Sequence, residues 1–149
     1  MAVKKFDKVF YRNATTPITT IAFSGTTPAG WTALPASTLV TDSKTDQDKD
    51  VTSNVQDGTE YVGSDKASLE IALINFAAAD YATLRTALLN NLVDILMIDS
   101  DNKSPGYVIH SIRVYPKLTS EDEPKIIISG PKTKSSAAST TPLTLINVT

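Results

Sequence analysis

Apolar positions are densest between residues 68 and 98, and their period changes twice within that stretch. Residues 68–76 read as a strand. Leu69, Ile71 and Leu73 fall on one face, while Ala72, Ile74 and Phe76 fall on the other, because side chains alternate along an extended chain. Its C-terminal half is thus apolar on both sides, which predicts a cover on both faces. From 80 to 92 the period lengthens. Tyr81, Leu84, Leu88 and Leu92 recur at helical spacing as one buried stripe, with Leu89 beside it and Thr83, Arg85 and Thr86 turned outward. Asp80 can cap this helix or sit in its first turn, where a carboxylate meets the free N–H groups. Asn90 and Asn91 tolerate the left-handed conformation that ends helices. Residues 93–98 then read as a second, buried strand.

The flanking pattern is weaker. Residues 5–11 alternate loosely, and 16–23 are rich in β-branched residues, with Pro17 near the start where it is tolerated. Residues 24–30 hold two glycines and a proline, which is turn chemistry. Pro35 forbids a central strand over 31–39. Residues 41–58 are polar and charged, with only Val51 and Val55 as core material. They read as a long loop, either a surface excursion or an arm that orders against a neighbouring subunit. Beyond a turn at 99–106, residues 106–118 predict one long strand, with Val108, Ile112 and Val114 on one face and Tyr107, Ile109, Arg113 and Tyr115 on the other. Residues 125–129 pair back on it as a hairpin. Residues 130–142 form a polar tether, and 143–148 a final strand suited to joining a sheet edge, its own or a neighbour's.

A chain of 149 residues suits one domain. The expected class is mainly β, a sandwich or barrel with one helix packed on its flank. The formal net charge of −2 is unevenly spread. Residues 1–13 carry Lys4, Lys5, Lys8 and Arg12 against Asp7, whereas 41–60 carry Asp42, Asp46, Asp48, Asp50, Asp57 and Glu60 against Lys44 and Lys49. No basic stripe with interleaved aromatics supports a grip on nucleic acid. The sequence has no cysteine, which excludes disulfides and thiolate chemistry. No secretory signal pattern follows Lys4 and Lys5, and the most apolar window, 87–98, is too short and polar to span a bilayer. The expectation is synthesis in the cytoplasm, with no membrane partner.

Candidate chemistry is sparse. His110, the single histidine, shares a strand face with Val108 and Ile112 and reads as a structural residue; no Gly-x-Ser-x-Gly elbow supplies it with a nucleophile. Asp46, Asp48 and Asp50 resemble the opening of a calcium loop, but Val51 stands where glycine makes the turn and Asp57 where a longer glutamate is needed. No phosphate loop, dinucleotide fingerprint or zinc spacing occurs, so neither metal nor cofactor nor enzymatic activity is expected.

Element order carries a resemblance. Residues 60–76, the helix 80–92 and the strands 93–98, 106–118 and 124–129 are together similar to the tail-tube (major tail) proteins of bacteriophages and to tube proteins of contractile injection systems. The likeness covers about half the chain and lies in patterning. It implies a virion structural protein, assembled in the host cytoplasm, whose β-sandwiches join laterally in a six-membered ring. Such rings stack into a tube through which DNA passes without specific binding, and the partners are other copies and other tail proteins. On this likeness the loop 41–58, with Asp42, Lys44, Asp46, Asp48, Asp50 and Asp57, reaches an adjoining ring or subunit. Residues 131–149 serve contacts between copies. From charge alone, Lys4, Lys5, Lys8 and Arg12 are expected to meet a neighbour's acidic loop. The alternative is a β-sandwich module that decorates a capsid or fibre.

Overall fold

The strand β6 (Val93–Ile98) is buried along its whole length, and the rest of the chain is layered on its two faces. A computed structural model describes residues 6–16, 18–35, 38–54, 60–101, 103–120, 123–132 and 143–149. The other strands are β1 (Lys8–Asn13), β2 (Thr20–Ile21), β3 (Thr32–Ala33), β4 (Leu39–Asn54), β5 (Glu60–Ile74), β7 (Gly106–Ile112), β8 (Tyr115–Thr119), β9 (Lys125–Lys132) and β10 (Leu143–Val148). One helix, α1 (Ala78–Leu88), joins β5 to β6. Six strands form a sheet in the order β2-β10-β7-β6-β1-β3, and four form a second in the order β4-β5-β9-β8. The fold is mainly β with one helix, its sheets curled.

Alternation along β6 explains the layering. Val93, Ile95 and Met97 join Val9, Tyr11, Ile109 and Ile112 on one face of the six-stranded sheet, and this face packs on Leu69, Ile71, Leu73, Ile126 and Ile128 of the four-stranded sheet. Leu84 and Leu88 of α1 enter the same core. Leu96 and Ile98 face the other way, into a second cluster with Phe10, Phe23, Trp31, Val108, Ile146 and Val148. The segment 18–35 thereby covers the far face of the six-stranded sheet. No such layer lies on the far face of the four-stranded sheet among the described residues.

Several local expectations change. The polar stretch expected as a loop over 41–58 is, through Asn54, the strand β4, paired antiparallel with β5 from Leu39↔Ile74 to Asn54↔Glu60. An edge strand needs backbone partners on one side only and need not bury both faces, so its composition reads like a loop. The expected strand 106–118 is two strands in different sheets. Ser111, at φ 55°, lies in a bulge where two residues of β7, His110 and Ser111, stand between Ile109 and Ile112 against one of β6, Asp94, between Val93 and Ile95. That extra residue turns Ile109 and Ile112 to the same core, against the alternation predicted for them.

The helix starts two residues earlier and ends four residues earlier than predicted. Asp80 sits in its first turn and accepts a hydrogen bond from the Ala77 N–H at 2.8 Å. Leu89 is already extended, Asn90 is left-handed at φ 66°, and the Asn91 amide donates to the Ala87 carbonyl at 2.9 Å. The helix therefore stops before Leu92, which is 42% exposed rather than part of the stripe. Leu84 and Leu88 are fully buried, and Tyr81 is half-buried against them. The last strand lies in its own molecule, antiparallel to β7 and parallel to β2.

Candidate assembly edges and a buried carboxylate cluster

Among the described residues, pairing with β9 runs along β5 from Ala67 to Leu73. Beyond that point β4 and β5 continue as a two-stranded ribbon, from Asp48↔Lys66 to Asn54↔Glu60. A two-stranded ribbon is at best marginally stable in water without a further strand or surface behind it. Asp42, Lys44, Asp46 and Asp48 stand in backbone register with Ala72, Glu70, Ser68 and Lys66. Asp50 lies within the ribbon. Asp57 lies outside the described residues, as do Lys4 and Lys5. The extended, paired backbone through Asp46, Asp48 and Asp50 is not the tight loop that calcium coordination of that pattern needs.

Among the described residues, β4 and β8 each lack a strand on their outer side. Both edges carry large exposed apolar side chains: Leu39 (57% exposed) at the start of β4, and Tyr115 (51%) and Leu118 (50%) on β8. Helix α1 packs beside β8. There Arg85 donates to the Tyr81 hydroxyl at 3.4 Å and also hydrogen-bonds Tyr115. Just before β8, Arg113 donates to the Asn90 carbonyl at 3.0 Å. The six-stranded sheet offers much less edge, since β2 and β3 at its ends have two residues each.

The sequence reading missed the most elaborate polar arrangement. Asp94, on β6, is fully buried. Its carboxylate accepts from Arg12 Nε at 2.9 Å, from the Ser111 N–H at 2.9 Å and from the Thr15 N–H at 3.3 Å. His110 Nδ1 lies 3.4 Å from the same carboxylate. Burial alone would push the Asp94 pKa up, but His110, the Ser111 N–H and Arg12 together outweigh it and hold the group below its ordinary value. Arg12 also donates to the Thr16 carbonyl at 2.9 Å and lies 4.3 Å from the centre of the Trp31 ring.

Arg12 is therefore engaged within its own molecule, with part of its side chain still exposed. Among the described residues of the expected basic group, Lys8 is exposed. His110 is buried, as its strand face suggested. The cluster ties β1, β6 and β7 together at the bulge, where the chain leaves one sheet for the other. The available signal was a lone acid inside an otherwise apolar strand, because a buried charge implies partners.

An open groove of about 560 Å³ lies between β1 and the segments around Phe23 and Leu34, with Leu39 on its wall. Of its ionisable groups, Asp7 accepts two hydrogen bonds from Ser100, at 2.9 Å and 2.6 Å. Among the described residues no group of three acidic or histidine side chains is placed to hold a metal ion, and no helix is long and apolar enough to cross a membrane. Compared with family models, with curated proteins and with solved structures, the chain matches none.

Proposed function

We propose that the protein is a structural subunit of a virion, a bacteriophage tail-tube protein whose copies join through the four-stranded sheet into rings that stack around a channel. One observation carries this reading. The four-stranded sheet ends in two open edges bearing exposed Leu39, Tyr115 and Leu118, and a ribbon of it runs on past β9. An open edge invites pairing with another chain. Although β4 is charged and β8 is five residues long with α1 beside it, the sixteen residues of β4 offer a long ladder of backbone groups. Joining such edges around a closed ring removes them.

The face of this sheet turned from the core suits a channel that DNA must traverse. The strands of this sheet mix both signs in sequence, with Asp42, Asp46, Asp48 and Glu70 beside Lys44, Lys66 and Lys117. A mixed face gives phosphates no continuous cationic track to bind. The last strand, β10, pairs within its own sheet and leaves Leu145 exposed. Sedimentation and negative-stain microscopy over a concentration series test the proposal. Rings or tubes of uniform bore are expected; a protein that remains a monomer at every concentration overturns it.

A further inference from the structure

A proline interrupts the strand beside β1. On the side away from β6, β1 pairs with the two-residue β3 through Phe10↔Ala33 and Tyr11↔Thr32. The same register would next set Leu34 opposite Val9 and Pro35 opposite Lys8. Pro35 has no backbone N–H to donate and cannot carry the ladder on. The chain turns there instead, and the Pro35 carbonyl accepts from the Thr38 N–H at 3.0 Å and from the Thr38 hydroxyl at 2.6 Å. Among the described residues no strand pairs with Lys8 and Val9 on this side, and the groove of about 560 Å³ opens along them. Its size is that of clefts which hold ligands.

The groove has two unlike walls, and alternation along β1 tells what each receives. Val9 points into the core between the sheets, against which Leu34 and Val40 pack, and exposed Leu39 stands on the rim. Lys8 and Phe10 point the opposite way. On that side Phe10 meets Phe23, their ring centres 5.9 Å apart, and exposed Thr26 and Thr27 stand on the wall. Lys8 is exposed, whereas both carboxylate oxygens of Asp7 accept from Ser100. A strand laid along β1 turns one side chain toward Leu34, Leu39 and Val40 and the next toward a lysine and two threonines. An apolar side chain fits the first position and a carboxylate the second.

We propose that this groove receives an extended segment of another protein, with alternating apolar and acidic residues, which adds itself to β1 as a strand. Main-chain bonds to Lys8 and Val9 supply affinity, and the two walls supply specificity. The backbone it uses belongs to the six-stranded sheet, so the inference goes beyond the assembly reading and does not depend on it.

The probe is a fluorescein-labelled six-residue peptide of alternating valine and glutamate, titrated with the full-length protein and read by fluorescence anisotropy. Saturable binding is expected. A valine–lysine peptide lacks the carboxylate, and an N-methylated valine–glutamate peptide lacks the strand's donors. Each is expected to bind about ten-fold more weakly or worse. Lys8→Glu, a change at an exposed position, should reverse the preference in favour of the lysine peptide. No saturable binding, equal binding of the three peptides, or an unchanged preference in Lys8→Glu overturns the inference. Saturating peptide should leave self-association, read by sedimentation, as it was. A peptide that suppresses self-association occupies the edges of the four-stranded sheet instead, which also overturns the inference. A protein that binds the peptide with the expected preference yet stays a monomer upholds it and overturns the assembly reading alone.

Discussion

At the scale of single residues, the carboxylate of Asp94 carries the clearest pH dependence. Its ordinary value is 3.8, and in the folded protein it lies lower, with burial opposing the shift and His110, the Ser111 N–H and Arg12 producing it. A lowered carboxylate contributes stability that is fully present above its unfolded value and is lost as pH falls through the folded one. Asp94→Asn is therefore expected to cost about 2–3 kcal/mol at neutral pH. That is less than the cost of breaking a fully enclosed pair, because Arg12 keeps some solvent and its bond to Thr16. Denaturant melts at pH 7 and below pH 4 check it: the gap between wild type and variant should narrow in acid. Gly130 presents a steric case. A Cβ there would fall on the Arg113 carbonyl oxygen and come within 3.2 Å of the Val114 Cα, both backbone atoms with little room to yield. Gly130→Ala should cost about 2 kcal/mol or more, read as a lower denaturation midpoint at unchanged slope.

At the scale of elements, legibility followed burial. β6 was readable because six consecutive residues are enclosed and all but Asp94 are apolar. The stripe Leu84–Leu88 was readable because helical spacing is hard to mistake. The polar β4 was not, since an edge strand is specified by the backbone of its neighbour rather than by its own side chains. The break between β7 and β8 was hidden for another reason. It depends on a bulge at Ser111 held by a carboxylate seventeen residues away, and no local pattern records that bond. The helix end was half legible. Asn90 was the right residue to turn the chain, but Leu92 has helical spacing and lies beyond the turn. The ribbon invites an excision. Joining Lys49 to Asp65 through an Asn-Gly turn keeps the register of that pair and removes strand that β9 never touches. The expected product melts within a few degrees of wild type and assembles poorly. Undiminished assembly would show that the ribbon has no part in it.

At the scale of the whole molecule, the two sheets differ in how finished they are. The six-stranded sheet has a core on each face and two-residue strands at its ends. The four-stranded sheet has one core face and, among the described residues, no strand beyond β4 or β8. The longer backbone edges therefore lie in one layer, and these edges, more than any cavity, are the surface proposed above for assembly. Of the residues on which the charge asymmetry and the resemblance put contacts, Arg12 is bonded within its own molecule and β10 pairs within its own sheet while leaving Leu145 exposed.

Only Arg113 and Val114 separate β7 from β8, the shortest covalent link between the two sheets, and Gly130 is wedged against both. So short a tether has no slack. A mechanical load applied to β8 by an adjoining molecule would pass straight into β7 and on to Asp94, making this corner a stiff hinge pin through which one layer can drag the other.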